Sequence, residues 1–167
     1  MIADLHTDAE IERARRVAAV VLDPEIPVVT IEDLGVLRRV HRDGQTIVVE
    51  LTPTYLGCPA VLAIELATEA ALRGAGFADV RIVRVLTPAW TTDAITQAGR
   101  QKLLDYGIAP PVRAGGKGAL LFETETILCP RCASTATERV SEFGSTACKA
   151  QWRCTACREP FDYFKCI

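Results

Sequence analysis

The sequence lacks three features that would assign the chain to a membrane, an export pathway or nucleic acid. No apolar run approaches the roughly 20 residues that a membrane helix needs. Positive charge is not in excess, because 19 Lys and Arg face 21 Asp and Glu, whereas binding a phosphate backbone requires a dominant basic field. The first residues, MIADLHTDAE, are acidic and lack the basic start and apolar stretch of a signal peptide. We therefore expect a cytoplasmic protein that binds neither membranes nor nucleic acid.

What is present is a globular composition with many cysteines. The 167 residues are 49% hydrophobic and 24% charged, which excludes disorder and low-complexity classes. Cys58 stands alone, and the other six of the seven cysteines lie within residues 129–167. Cytoplasmic thiols are kept reduced, so these cysteines indicate metal ligation or thiol chemistry and argue against a disulfide framework.

The chain divides at a segment rich in proline and glycine. IAPPVRAGGKG, residues 108–118, has few apolar residues and predicts a linker. We therefore predict a first domain over residues 1–108, a linker over 109–128 and a second domain over 129–167.

The first domain has mixed α/β patterning, in the order α-β-β-α-β-α. Thr7-Asp8-Ala9-Glu10 resembles a capping box that begins a helix ended by Pro24, and Asp43-Gly44 predicts a hairpin. The second helix should face its core with Val61, Leu62, Leu66 and Ala70. The fold class expected is α/β (α+β), a small mixed sheet with packed helices. Its remaining elements are strands at 36–41, 46–51 and 80–86, a helix at 59–73, and a last helix capped by Thr92 or Asp93 that ends at Gly107.

Two CxxC pairs predict a metal site in the second domain. Cys129 and Cys132 form one pair, and Cys154 and Cys157 form the other, with residues 133–153 between them. Four thiolates form a closed tetrahedral set that suits structural zinc, although an iron–sulfur cluster would also accept four cysteines. The separation slightly exceeds the usual zinc-ribbon range of about 15–20 residues, which a hairpin with a longer loop would absorb.

Strands at 137–140, 149–153 and 161–164 would complete a zinc-ribbon-like β subdomain. Trp152, Phe161, Tyr163 and Phe164 offer more apolar surface than a ribbon core should need, which favours a protein-docking face. Cys148 and Cys166 exceed a four-ligand site, and they are interpreted as buried apolar groups, alternative ligands or a second thiol pair.

Cys58 lies in the segment LTPTYLGCPA between the second strand and the second helix. With Pro59 at the first helical position, Cys58 would be the N-cap, where the helix dipole stabilises a thiolate. A buried, inert cysteine in a strand–helix turn is the alternative. Asp23-Pro24-Glu25-Ile26-Pro27 is a rigid acidic loop whose carboxylates could be held in place, or an ordinary turn that stops the helix.

Two groups of motifs resemble known families. DPEIPVVTIEDLGVL, LTPTYLGCPA and TPAWTTDAITQAGRQKLLDYGI resemble the metal–sulfur cluster biosynthetic domain of SufT-like iron–sulfur assembly factors, over about residues 8–108. CPRCASTATERVSEFGSTACKAQWRCTACREPFDYFKCI, joined to that domain, resembles the PaaD family of bacterial phenylacetyl-CoA ring 1,2-epoxidation systems.

The resemblance implies a non-catalytic accessory or assembly factor of a multicomponent monooxygenase in phenylacetate catabolism. Its expected protein partner is the flavin/[2Fe–2S] reductase subunit, whose cluster it would help to mature or insert. Cys58 would be the thiol that handles iron or the cluster, with Asp23 and Glu25 nearby, and Cys129, Cys132, Cys154 and Cys157 would hold the ribbon's metal. One thiol and two carboxylates form a weak site for a whole cluster, so the resemblance favours transient delivery, or a cluster shared between the protomers of a homodimer.

Two other functions stay open. A structural subunit that docks the reductase onto the oxygenase would not need Cys58. A thiol-dependent enzyme would use Cys58 directly, but neither His6 nor His41 lies near it in the sequence to serve as a base.

Overall fold

The computed structural model describes residues 2–111 and 127–165, with side chains from residue 8 onward. The chain forms two compact units that divide after Trp90. Much of the predicted linker at 109–128 lies outside the described residues, as does Cys166. Among the described helices, none is long and apolar enough to cross a membrane.

The first unit is a three-stranded sheet covered by two helices. Strands β1 and β2 form the predicted antiparallel hairpin, but its two-residue turn is Gly44-Gln45, one residue later than Asp43-Gly44, because Asp43 pairs with Thr46. Gly44 adopts the left-handed conformation (φ +62°) that the turn needs. Strand β3 pairs parallel with β2, so the sheet is mixed, with the order β1-β2-β3. The elements of this unit are α1 (Ile2–Ala19), β1 (Leu37–Asp43), β2 (Thr46–Leu51), α2 (Ala60–Gly74) and β3 (Val80–Arg84).

The first helix differs from its predicted bounds at both ends. It begins at Ile2, so Thr7 lies within it and is not its N-cap. It ends at Ala19, before Pro24 is reached, and Val21 then donates a backbone hydrogen bond to Ala18 at 3.1 Å.

Helix α2 buries a different face from the one predicted. Val61, Ile64, Thr68 and Leu72 are buried, at spacings of three and four residues that bring them to one side of the helix. Leu62 and Leu66 are 61% and 58% exposed, so their assignment to the core is wrong, as is that of exposed Ala70. The helix carries two adjacent apolar stripes, and only one of them meets the sheet.

The second unit contains helix α3 (Gln97–Asp105) and a four-stranded sheet in the order β4-β7-β6-β5. The α3 N-cap is Thr96, whose side-chain oxygen accepts from Gly99 N at 2.9 Å, and not Thr92 or Asp93 as predicted. The predicted ribbon strands are present, and β4, whose first residue falls in the predicted first domain, pairs parallel with β7. The strands are β4 (Ile108–Ala109), β5 (Thr137–Ser141), β6 (Lys149–Cys154) and β7 (Pro160–Phe164).

The ribbon aromatics form a core and not a docking face. Phe161, Tyr163 and Phe164 are 6%, 6% and 1% exposed, and half-buried Trp152 packs edge-on against Tyr163 with ring centroids 6.1 Å apart. The prediction of an exposed aromatic face is therefore wrong. A small sheet with few aliphatic side chains uses these rings to fill its own interior.

Candidate functional site

Cys58 lies at the end of the loop that joins β2 to α2, and it is partly exposed. Gly57 precedes it with φ +85°, a left-handed conformation that turns the chain into the helix. The N-cap is Pro59, which makes no side-chain cap, so the prediction that Cys58 is the N-cap is wrong by one residue. Helical hydrogen bonding still begins at Cys58, whose carbonyl oxygen accepts from Val61 N at 3.3 Å.

A small cavity of about 20 Å³ lies beside Cys58, with room for roughly one water molecule. It brings Cys58 together with Asp23, which is far from it in the sequence. Thr54 also lines it and was missed at the sequence level, although it lies in the same loop. The remaining lining residues are apolar, namely Val36, Leu51, Pro53, Val61 and Ile64. The cavity therefore fits a water molecule or a single ion, and not a whole cluster.

Asp23 is fixed in its loop by its own hydrogen bonds. Its side chain is nearly buried, and Oδ1 accepts from the backbone N–H groups of Glu25 and Ile26, both at 2.8 Å. Its backbone N–H donates to Val29 O at 3.0 Å, which closes the loop. The acidic loop is thus an ordered turn beside the cavity. Glu25 is not among the lining residues, so of the two predicted acidic residues Asp23 borders the cavity beside Cys58 and Glu25 does not.

The four ribbon cysteines converge as predicted. Their sulfur atoms all lie within 4.8 Å of one another, with Cys129 Sγ 3.7 Å from Cys157 Sγ and Cys132 Sγ 3.6 Å from Cys154 Sγ. Zn–S bonds of about 2.3 Å in a tetrahedron place sulfur atoms roughly 3.8 Å apart, so the donor set fits a zinc-sized ion.

The two CxxC turns have the same backbone geometry. The residue after each pair is left-handed, with φ +58° at Ala133 and φ +64° at Arg158. The first cysteine of each pair donates its N–H to the carbonyl five residues on, from Cys129 to Ser134 and from Cys154 to Glu159, both at 3.0 Å. The ligand set is therefore built from two equivalent turns.

The thiols of the cluster differ in pKa. The backbone N–H of Cys157 donates to Cys154 Sγ at 3.4 Å, and this hydrogen bond is the largest influence that lowers the pKa of Cys154 from 9.0 to about 6. A backbone hydrogen bond at Glu159 favours the Cys157 thiolate, but desolvation and the neighbouring thiols outweigh it and raise the pKa of Cys157 to about 12. A backbone hydrogen bond at Ser134 is the largest single influence on Cys132 and favours its thiolate, but desolvation and the hydrogen bonds with Cys154 and Cys129 together outweigh it and raise the pKa of Cys132.

These pKa shifts predict that acid weakens metal binding. Cys132 and Cys157 are protonated near neutral pH and must each lose a proton to ligate. The apparent affinity should fall about tenfold per pH unit for each such thiol, hence at least about 100-fold per unit between pH 8 and 6, and more steeply below pH 6, where Cys154 also takes up a proton. Titration of the metal-loaded protein against a chromogenic chelator at each pH measures this slope. An affinity independent of pH would contradict the assignment of protonated thiols.

Cys148 is outside this set. It is buried, and its Sγ lies 3.1 Å from Thr146 Oγ1. From the sequence, Cys148 is interpreted as a buried apolar group, an alternative ligand or part of a second thiol pair. Its position outside the four-cysteine cluster excludes the alternative ligand.

Family models match both parts of the chain. Residues 12–85 match the model "Iron-sulfur cluster assembly protein", and residues 114–165 match the model "PaaD zinc beta ribbon domain". The first range contains Asp23 and Cys58, and the second contains the four ribbon cysteines.

Two similar proteins extend these matches. One is the crystal structure of a domain of unknown function, DUF59, from Bacillus anthracis, which is 22% identical to this chain with a TM-score of 0.55. The match covers 60% of this chain and 96% of that protein, and it shows a shared fold. An Escherichia coli (strain K12) protein whose name describes it as a 1,2-phenylacetyl-CoA epoxidase subunit is 52% identical over 145 residues, which are 87% of this chain and 86% of that protein. The chain therefore belongs to the PaaD family, in which an iron–sulfur assembly domain precedes a zinc β-ribbon.

Proposed function

We propose that this chain is a non-catalytic accessory subunit of phenylacetyl-CoA ring 1,2-epoxidation, which assists iron–sulfur cluster maturation or insertion in the reductase subunit. The observation that carries the proposal is the partly exposed Cys58 thiol beside a cavity with a fixed carboxylate, in the region that matches the iron–sulfur assembly model. The 52% identity to the E. coli epoxidase subunit supports the pathway.

Cys58 would act by ligand exchange at the cluster, which is its cargo. The Cys58 thiolate displaces a thiolate of the cluster's donor from one iron atom, and the donor thiolate leaves. A cysteine thiolate of the reductase then replaces Cys58 at that iron, and Cys58 leaves as a thiolate, so neither iron nor sulfur changes oxidation state. The cavity of about 20 Å³ admits no cluster, so the cargo stays at the surface, where transfer to a client is direct.

The ribbon would hold a structural zinc ion. Cys129, Cys132, Cys154 and Cys157 supply four thiolates and leave no open position for substrate. Bound zinc would link the two CxxC turns and contribute folding energy. A domain this small rarely folds without such a link.

The test is Cys58→Ser, co-expressed with the reductase subunit. Serine keeps the size but is a poor ligand for iron in a cluster, so we expect iron and acid-labile sulfide per reductase to fall at least about fivefold, an order-of-magnitude expectation for loss of a thiolate nucleophile. Zinc content should not change. Ala63→Ser, which adds a hydroxyl to an exposed position on α2, is the matched control.

The result also separates the alternatives. If both reductase loading and epoxidation are unchanged in Cys58→Ser, the assembly role is wrong. The same result would favour a structural role, in which the chain docks the reductase onto the oxygenase without needing Cys58.

A further inference from the structure

An exposed groove runs between α2 and the outer edge of β3. It has a volume of about 420 Å³, with an apolar floor from Leu62, Leu66 and Ile82 and charged walls from Glu65, Glu69 and Arg84. Leu62 and Leu66 form the second apolar stripe of α2, the one that misses the core. Two large apolar side chains held side by side in water indicate a surface that another chain covers.

The same groove borders an open sheet edge. Strand β3 pairs with β2 on one side, and no strand among residues 2–111 and 127–165 pairs with its other side. Charged side chains often keep such an edge from pairing. Here both arginines of β3 are already in ion pairs, Arg81 with Asp43 at 2.6 Å and Arg84 with Glu65 at 2.8 Å, so their charge opposes a second strand only weakly.

The ion pairs along the groove indicate which kind of partner could bind there. Glu65 pairs with Arg84, and Glu69 pairs with Arg73, which lies on α2 outside the groove lining, both at 2.8 Å, so each carboxylate of the groove already has a cationic partner. A strongly basic or acidic partner would gain nothing from such a surface. A copy of the same surface, turned by a two-fold axis, matches it in both apolar area and charge.

We propose that this groove is the interface of a homodimer, in which β3 pairs antiparallel with β3 of a second copy and α2 packs its Leu62–Leu66 stripe on the same stripe. Helix α2 links the parallel strands β2 and β3 and runs opposite to them, so Glu69 lies toward the start of β3 and Arg84 lies at its end. Antiparallel pairing therefore brings Arg84 of one copy toward Glu69 of the other. The two sheets become one six-stranded sheet.

This inference goes beyond the proposed function and does not rest on it. Cys58 precedes α2, at the end of the sheet where β2 and β3 finish. The two-fold axis places the two Cys58 thiols at opposite ends of the joint sheet. Each protomer then works with its own thiol, and a cluster shared between two Cys58 residues is excluded in this dimer.

Sedimentation equilibrium of the full, zinc-loaded chain tests the dimer. We expect a dimer that Leu66→Glu weakens at least about tenfold in dissociation constant, because the new carboxylate lies beside Glu65 and Glu69 and beside the same residue of the second copy. Leu22→Glu is the matched control, since Leu22 is 51% exposed in the same unit but outside the groove, and it should leave the dimer intact. A monomeric wild-type protein, or a dimer that survives Leu66→Glu, overturns the proposal.

Hydrogen exchange of the wild-type protein gives a second test, which does not depend on whether a variant folds. Amides of β3 should gain protection as the protein concentration rises through the dissociation constant, while those of β1, at the other edge, should not. Protection of β3 that does not depend on concentration would also overturn the proposal. A monomer whose β3 gains protection only when the reductase is added would overturn it too, in favour of a client strand at the same edge.

Discussion

Cys154→Ser should release the ribbon metal and unfold β5, β6 and β7. Cys154 is fully buried, its thiolate is the most stabilised of the set, and its pKa is lowered to about 6 by the N–H of Cys157. Structural zinc contributes about 10–16 kcal/mol in zinc-finger peptides, far more than a sheet of this size stores in its core. Losing one of four thiolates removes much of that stabilisation.

Zinc analysis together with hydrogen exchange of β6 measures this outcome. We expect zinc below stoichiometric amounts and β6 amides that exchange at rates close to those of an unfolded chain. Ala156→Ser, an exposed position within the same CxxC turn, is the control and should retain both metal and protection. A Cys154→Ser protein with stoichiometric zinc and a protected β6 would show that the fold does not depend on the tetrathiolate set.

Asp23→Ala should destabilise the first unit by about 2–6 kcal/mol. Asp23 Oδ1 accepts two backbone N–H groups at 2.8 Å, and its removal leaves those donors without a partner at about 1–3 kcal/mol each. Asp23→Asn keeps an acceptor oxygen in place and should lose less than half as much. Equal losses in both variants would show that the charge, and not the acceptor, holds the loop.

Urea unfolding in a Trp152→Phe background reports on the first unit alone. The chain has two tryptophans, and Trp90 is the one in the first unit, where its indole N–H donates to Leu34 O at 2.7 Å. Asp23→Asn is also the informative variant for function. If it folds well but loads the reductase poorly, the carboxylate contributes to the thiol site directly.

The elements that can be predicted from the sequence are those whose causes are local. Gly44 specifies the β1–β2 hairpin, the CxxC pairs specify the tetrathiolate set, and the mixed order of helices and strands specifies the fold class. The left-handed residues of the CxxC turns are not predictable from residue type, because Ala133 and Arg158 are not residues that favour that conformation. The geometry of the metal site imposes the left-handed backbone conformation on these two residues.

Other features depend on tertiary placement. Helix α2 has two apolar stripes, and periodicity alone cannot say which one meets the sheet, so it favours Leu62 and Leu66 as core residues where Ile64 and Leu72 are the buried ones. The cavity that joins Asp23 to Cys58 depends on how the loop after α1 meets the end of β2. That contact cannot be predicted from the spacing of residues in the sequence.

The equivalent CxxC turns have a consequence for how the ribbon acquires its ion. In each turn the first cysteine is buried and the second is exposed, so an incoming ion meets Cys132 and Cys157 before it reaches Cys129 and Cys154. Once these two thiols have lost their protons, their bonds to the ion connect both CxxC turns, and the inner pair completes the coordination sphere. The same outer sulfurs are the ones that oxidants or competing chelators reach first, so metal uptake and metal loss pass through a single entrance.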